Sequence, residues 1–154
     1  EYRETLGFRV VPLTGGERPS SEVLRDWLAE GGVACLLVDR NFGAGGVQVD
    51  FFGRPTTMPS GAALLAERTG AALVPAVCQF SATGWRVEVH PEVPVQGEGR
   101  LKDRVAAAMQ GVADAFTATI STQPEDWHML GRIWPDVPPD PPRRPAHRTA
   151  AEVS

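Results

Sequence analysis

The amino-acid sequence predicts an α/β domain with a mixed, largely parallel sheet flanked by helices. An uninterrupted apolar run, Val33 to Val38, is typical of a strand buried on both faces. A strand pattern and then an amphipathic helix pattern precede this run, and a strand, helix, strand order favours a parallel pair with a right-handed crossover. A chain of 154 residues with 42% apolar and 22% charged residues fits one globular domain.

The first elements are predicted from alternation and from helix stop signals. Residues 1–7 resemble the last turn of a helix closed by Gly7, so we expect the chain to begin in mid-structure. Phe8 to Leu13 alternates like a strand. Ser20 and Ser21 are candidate caps of a helix whose apolar residues recur at three- and four-residue spacing.

Periodicity also predicts the later elements. Gly70 is expected to end a short helix, and Pro75 interrupts a strand pattern, which suits an edge position. The tetrapeptide 81–84 has the composition of a hairpin turn. The predicted elements are strand 47–52, helix 61–69, strand 71–80, strand 85–90, helix 100–120 and a short helix from Pro124.

Charge and cysteine content exclude several classes of protein. The formal charge of −4 argues against a dedicated nucleic-acid binder, which normally has a clustered basic excess. No metal-ligand spacing occurs, and no apolar stretch of about 18 residues is present. Cys35 and Cys78 lie in apolar runs, where we expect them to pack as small hydrophobic residues.

Asp39 and Arg40 directly follow the apolar run 33–38. In open α/β sheets the crevice beyond the carboxyl ends of the strands binds ligands, so this acid and base are candidate site residues. A surface Asp-Arg turn is the alternative interpretation. Gly43 to Gly46 is not a typical nucleotide site, because a strand pattern follows it where a phosphate cradle needs a helix N-terminus.

Five blocks of sequence resemble one family in both content and order. The blocks are Val-Asp-Arg, Val-Asp-Phe-Phe-Gly, Met-Pro-Ser-Gly, Arg-Thr-Gly-Ala-Ala-Leu-Val-Pro and Pro-Glu-Asp-Trp-His-Met-Leu. Together they resemble the C-terminal half of the lysophospholipid acyltransferase superfamily, in the branch of the lipid A lauroyl acyltransferases and the actinobacterial phosphatidylinositol mannoside acyltransferases. The Asp-Trp-His-Met-Leu ending favours the mannoside enzymes. The resemblance covers residues 2–134, which we predict to be part of one acyltransferase domain.

The resemblance implies transfer of a long, palmitoyl-type acyl chain from acyl-CoA, a co-substrate, to a mannose hydroxyl of phosphatidylinositol mannoside. It also implies peripheral attachment to the inner, cytoplasmic leaflet of the cell membrane. With the charge and the residue spacing considered as well, we expect no other cofactor, no metal and no nucleic acid. The family's general base is a His followed five residues later by an acid, and it lies upstream of the matched blocks. Here only His147 with Glu152 has this spacing, in the proline-rich segment, and we take it as coincidence. The chain is therefore expected to be a fragment whose partner is the upstream half.

The resemblance assigns site roles to Asp39, Arg3, Gly45 and Glu67, and Arg40 is added from its place directly after the apolar run. Asp39 corresponds to an acid that holds the catalytic imidazole in its useful tautomer. Arg3, Arg40, Gly45 and Glu67 are expected to bind substrate; a helix-surface charge is the alternative for Glu67, and a turn residue for Gly45. The acyl tunnel is expected to be lined by apolar residues, with Phe42, Phe51 and Phe52 as candidates and core packing as their alternative.

A second function stays open at this point. If the chain were complete, the missing His motif would favour a non-catalytic lipid or acyl-CoA binding module.

The proline-rich segment 135–154 is predicted to be extended or disordered and to contribute nothing to the domain. Six prolines between Pro135 and Pro145 remove backbone donors and leave little apolar surface to bury. Deleting Pro138–Ser154 should therefore leave the melting temperature and the activity almost unchanged. A large drop in melting temperature in a thermal-unfolding comparison with the intact chain would show that this segment docks.

Overall fold

The computed structural model describes residues 2–12, 14–41, 43 and 45–135. Its helices are α1 (Tyr2–Thr5), α2 (Ser20–Ala29), α3 (Gly61–Thr69) and α4 (Leu101–Ile120), and a single 3₁₀ turn covers Pro124–Asp126. Its strands are β1 (Val47–Phe51), β2 (Arg54–Met58), β3 (Ala76–Ser81) and β4 (Gly84–Val89). Leu13, Phe42 and the segment 136–154, including His147 and Glu152, lie outside the described residues.

Helix α4 carries most of the buried apolar surface. Its buried side chains recur at three- and four-residue spacing, so they form one stripe along the helix. Helix α3 and strands β1 and β3 pack against α4. The sequence predicted this helix almost to the residue; of its predicted apolar face only Leu101, at the first turn, is exposed.

Strands β1 and β2 form an antiparallel hairpin that packs on α4. Phe51 pairs with Arg54, and Phe52 and Gly53 between them both have positive φ, at 56° and 73°, which two-residue hairpin turns require. The Gln110 amide accepts a hydrogen bond from the Asp50 backbone N–H at 2.8 Å and donates one to its carbonyl at 3.0 Å. The Gln110 side chain of α4 thus satisfies the backbone groups of Asp50 that a third strand beside β1 would otherwise bond.

Strands β3 and β4 form a second antiparallel hairpin, with the predicted turn at 81–84. Its polar side faces α4. Gln79 is fully buried, and its amide donates to the Thr119 carbonyl at 3.2 Å and to Thr122 Oγ1 at 3.1 Å, while Arg86 donates to its Oε1 at 2.6 Å. The opposite side is an exposed apolar ladder of cross-strand pairs, which are Ala76 with Val89, Cys78 with Val87 and Phe80 with Trp85.

The predicted largely parallel sheet is wrong for the described residues, because both sheets are two-stranded and antiparallel. Residues 8–12 and 33–38, the expected parallel pair, lie outside any strand. Only Val38 of the second segment is buried, whereas Val33 and Leu37 are 82% and 92% exposed. The Val33 carbonyl accepts a hydrogen bond at 3.1 Å from the Trp27 indole of α2. A side chain thus bonds a carbonyl that a neighbouring strand would bond in a sheet.

Several local predictions can be compared with the structure directly. Gly7 and Gly70 have left-handed φ values of 84° and 70° after α1 and α3, which confirms them as helix-ending residues. Helix α2 begins at Ser20, but neither this helix nor α3 has a side-chain cap hydrogen bond. Cys35 and Cys78 are both exposed, so the prediction that they pack in the core is wrong.

Candidate functional site

Asp39 lies directly after buried Val38 and is itself half-buried. Its Oδ2 accepts a hydrogen bond from the indole Nε1–H of Trp127 at 3.0 Å. These residues are 88 positions apart in the chain, so the fold brings together the Val-Asp-Arg block and the Asp-Trp-His-Met-Leu block. In the part of the chain that the structure describes, Asp39 Oδ1 accepts no hydrogen bond.

Four aromatic rings form a cluster beside Asp39. Trp127 meets Phe51 edge-on, with ring centroids 5.5 Å apart, and stacks on Phe52 at 5.7 Å. Trp134 stacks on Phe51 at 6.3 Å and meets Trp127 edge-on at 6.4 Å. Phe51 is fully buried, so core packing is what the structure shows for this predicted tunnel residue.

Segment 127–135 is attached to the β1–β2 hairpin by backbone contacts as well. The Trp134 indole donates to the Phe51 carbonyl at 3.1 Å, and the Thr56 hydroxyl donates to the Ile133 carbonyl. Gly131 lies against the guanidinium of Arg40, which occupies the space that a Cβ at this position would need. Arg40 therefore packs beside the segment that carries Trp127.

Asp126 fixes the start of that segment to the second hairpin. Its Oδ2 accepts a hydrogen bond from the backbone N–H of Phe80 at 2.6 Å and another from the Gln123 amide. The same Gln123 amide donates to the Phe80 carbonyl at 3.3 Å. The 3₁₀ turn is therefore held against the last residues of β3, one residue before Trp127.

Asn41 organises the glycine loop that follows Arg40. Its Oδ1 accepts a hydrogen bond from the Gly43 N–H at 3.1 Å, and its amide donates to the Gly45 carbonyl. Gly46 has a φ of 143° and approaches the Met58 carbonyl so closely that an added Cβ would lie 2.7 Å from it. Gly45 itself is exposed with open space around its Cα, whereas the neighbouring Gly46 is held against the end of β2.

Glu67 is not an open surface charge. It forms an ion pair with Arg104, which joins α3 to α4, and the two side chains are only 15% and 19% exposed. Arg104 also donates to the Gly99 carbonyl, while the Glu67 carbonyl accepts from Gln96 at 3.0 Å. Glu67 Oε2 and Arg104 Nε are buried without a hydrogen-bond partner among the described residues. A role for Glu67 in substrate binding stays a prediction beside this structural one.

Arg3 is exposed on α1, and no described contact joins it to Asp39. A cavity of about 290 Å³ lies between residues 9–12 and 16–18 and α2. No predicted site residue lines this cavity, so it does not belong to the Asp39 site. The structure thus places Asp39 and Arg40 beside the segment that carries Trp127, and no described contact joins Arg3, Gly45 or Glu67 to Asp39.

The two histidines in the described chain do not contact Asp39. His90 Nε2 lies 2.7 Å from Thr119 Oγ1 and 3.8 Å from Glu88 Oε1, so it packs between the second hairpin and α4. His128 is exposed, and its ring meets Phe80 edge-on at 6.5 Å. The sequence predicts no role for Trp127, although this residue lies in one of the five family blocks. Its contact with Asp39 could not be predicted, because the two residues come together only in the folded chain.

Comparison with known proteins identifies the family. The sequence profile described as bacterial lipid A biosynthesis acyltransferase matches residues 1–135. The chain belongs to this family. A phosphatidylinositol mannoside acyltransferase from Mycolicibacterium smegmatis is 50% identical over 134 residues, covering 87% of this chain and 42% of the relative. The protein of the same name from Mycobacterium tuberculosis is 48% identical, covering 87% of this chain and 41% of the relative.

These matches confirm the resemblance to the phosphatidylinositol mannoside branch that the five blocks predicted. The chain spans about two fifths of the length of the curated relatives it matches. Within the described ranges of this family member, no helix has both the length and the apolar character needed to cross a membrane. Those ranges also contain no group of three or more His, Cys, Asp or Glu residues arranged for a metal ion.

Replacing Glu67 tests whether its ion pair is structural. Glu67→Ala leaves the Arg104 charge buried without its partner, so we expect the free energy of unfolding to fall by about 2–3 kcal/mol. This is below the cost for a fully buried pair because both side chains keep some solvent contact. In denaturant unfolding, the double variant Glu67→Ala/Arg104→Ala should lose less free energy of unfolding than the two single variants lose together.

The exposed pair Arg100–Asp103 provides a matched control on the same helix, with side chains 86% and 55% exposed. Asp103→Ala should change the free energy of unfolding by less than about 1 kcal/mol. A Glu67→Ala protein that unfolds like the wild type would remove the structural role and leave substrate binding as the reason for this residue.

Proposed function

We propose that the chain is part of an enzyme that transfers a palmitoyl-type acyl chain from acyl-CoA to a mannose hydroxyl of phosphatidylinositol mannoside. The observation that carries this proposal is the identity of 50% and 48% to two proteins named phosphatidylinositol mannoside acyltransferase. The reaction takes place at the cytoplasmic face of the cell membrane, to which the enzyme is peripherally attached. Its general base is a histidine contributed by the upstream half of the same protein.

In this reaction Asp39 orients the catalytic histidine. Trp127 holds one carboxylate oxygen, and the other accepts the imidazole N–H, which places the opposite ring nitrogen toward the sugar hydroxyl. The histidine takes the hydroxyl proton as the oxygen attacks the thioester carbonyl. The C–S bond then breaks, and the imidazolium returns the proton to the sulfur, so that coenzyme A leaves as the thiol. The Asp39 carboxylate stabilises the imidazolium that forms.

The remaining predicted site residues bind the donor and the acceptor. Arg40, next to Asp39, binds a phosphate or the thioester oxygen, for which its planar guanidinium offers two fixed donors. Gly45 has no side chain, so a substrate can approach the exposed backbone of the glycine loop, whose residues Gly43 and Gly45 are hydrogen-bonded by Asn41. Arg3 and Glu67 contact acyl-CoA from positions that become part of the site only with the upstream half in place.

Exposed apolar surface supports the proposal that the upstream half packs on this chain. Phe80, Trp85, Val87 and Val89 on the outer side of the second hairpin are 47–68% exposed. Val33 and Leu37 are exposed beside the candidate site. Contiguous apolar surface of this kind marks an interface or a self-association site. We propose that the part of the relatives' length that this chain does not span covers it.

A non-catalytic lipid or acyl-CoA binding module is the second candidate function. It is favoured by one observation, which is that no histidine in the described residues hydrogen-bonds Asp39. In that case the exposed apolar surfaces would bind acyl chains, and no general base would be needed.

Asp39→Asn in the full-length enzyme should lower kcat about a thousandfold or more while acyl-CoA binding changes little. The amide keeps the size of the side chain but cannot stabilise an imidazolium as a carboxylate does. The measurement is acyl transfer to phosphatidylinositol mannoside together with direct acyl-CoA titration. Asp50→Asn, the same change at an exposed residue of β1, should leave both values unchanged. Near-normal turnover of the Asp39→Asn enzyme would remove Asp39 from the mechanism.

The chain Glu1–Ser154 expressed alone should transfer no acyl groups and should self-associate through its exposed apolar surface. Co-expression with the upstream half should restore acyl transfer, because that half supplies both the histidine and the covering surface. Trp85→Ser should reduce self-association in size-exclusion chromatography far more than Leu130→Ser, a control at a 95% exposed position outside the hairpin. A monomeric chain that acylates phosphatidylinositol mannoside would defeat this proposal, and a folded, lipid-binding but inactive chain would favour the binding module.

A further inference from the structure

Trp127 is the only residue of the described chain that hydrogen-bonds the Asp39 side chain. We propose that Trp127 is a positioning residue for the reaction, holding Asp39 Oδ2 so that Oδ1 is presented to the catalytic histidine. This inference rests on the proposed function, since it assigns a partner to the orienting acid of that same site. In this proposal Trp127 acts through Asp39 and not directly on either substrate.

The chemistry of the indole suits this task. Its Nε1–H is a donor only, so the contact of 3.0 Å requires Asp39 Oδ2 to be the acceptor. A histidine or a tyrosine at this position could reverse the direction of the hydrogen bond, whereas a tryptophan cannot. The indole thus holds the carboxyl group in a fixed orientation, which an acid that orients a catalytic imidazole needs.

The direction of the indole N–H is fixed by ring packing. Phe52 stacks on the Trp127 ring with planes 28° apart, while Phe51 and Trp134 meet it edge-on at 84° and 75°. Contacts on three sides leave the side chain little room to change its rotamer. Packing in the aromatic cluster therefore fixes the direction in which the Trp127 Nε1–H points.

The backbone around Trp127 is held from both ends. Its N–H donates to the Pro124 carbonyl at 3.1 Å, at the end of the 3₁₀ turn that Asp126 joins to β3. Its carbonyl accepts from the Met129 N–H at 3.0 Å. Trp127 is thus anchored to the second hairpin, whereas Asp39 lies in the segment between α2 and β1.

The first test compares two tryptophans of the same cluster in the full-length enzyme. Trp127→Phe keeps an aromatic ring but removes the donor to Asp39, so kcat should fall about tenfold, as expected for a lost hydrogen bond to a charged group. KM for acyl-CoA and for phosphatidylinositol mannoside should stay within about twofold, because the proposal gives the indole no direct contact with either substrate. Trp134→Phe keeps an aromatic ring against Trp127 and removes only the donor to the Phe51 carbonyl, so it should leave kcat within about twofold.

The second test is a double-mutant cycle with Asp39→Asn. If Trp127 acts through Asp39, adding Trp127→Phe to Asp39→Asn should lower the residual turnover by less than about twofold. A purely structural tryptophan would lower kcat by the same factor in both backgrounds. Equal losses in the two backgrounds, equal losses for Trp127→Phe and Trp134→Phe, or a Trp127→Phe enzyme with wild-type kcat would each overturn the inference.

These outcomes differ from a failure of the proposed function. A wild-type protein that does not acylate phosphatidylinositol mannoside, or an Asp39→Asn enzyme with full activity, would refute the function together with the inference. An inactive Asp39→Asn enzyme beside a fully active Trp127→Phe enzyme would refute the inference alone.

Discussion

The apolar stripe of α4 is the surface on which the rest of the described structure depends. Neither two-stranded hairpin could be stable in water by itself, because a hairpin that stands alone buries too little apolar surface. Val49 and Phe51 of the first hairpin are buried against the same core as Met109 and Val112 of the helix. Helix α3 adds Ala63 and Ala66 to this core. One helix therefore fixes the relative positions of three elements that share no hydrogen-bond ladder with one another.

The candidate site depends on α4 indirectly, through the two hairpins that pack on this helix. The first hairpin presents Phe51 and Phe52, which receive Trp127, and the second hairpin receives Asp126 at Phe80. Segment 127–135 thus connects the two hairpins, and it reaches Asp39 only because α4 holds both of them. A change in the packing of α4 would move the indole relative to the carboxylate, since the cluster leaves the ring no independent freedom.

Sequence reasoning located the elements whose signal is local. Helix α4, the turn at 81–84 and the helix-ending Gly70 follow from periodicity and from backbone preferences, which neighbouring residues determine. It failed at Val33–Val38, because an apolar run shows that a segment is suited to burial but not what lies beside it. Strand β2 was missed because Pro55 weakens its pattern, although an edge strand tolerates proline. Asp39 could be selected from its position and the family blocks, whereas Trp127 could not, because its role arises from a contact across 88 residues.

The second hairpin packs a mainly polar side on the helix, although Val77 on that side joins the core. A strand that alternates apolar and polar residues normally turns its apolar side to the core. Here the side facing α4 carries Gln79, Arg86 and Glu88, whose hydrogen bonds with one another and with Thr119 satisfy the polar groups that packing removes from water. Such a network fixes the register of the hairpin on the helix, because a shift by one residue would turn the apolar side toward α4 and take the Gln79 donor away from the Thr119 carbonyl. Specific hydrogen bonds on the side facing α4 therefore keep the apolar ladder on the outer side of the hairpin.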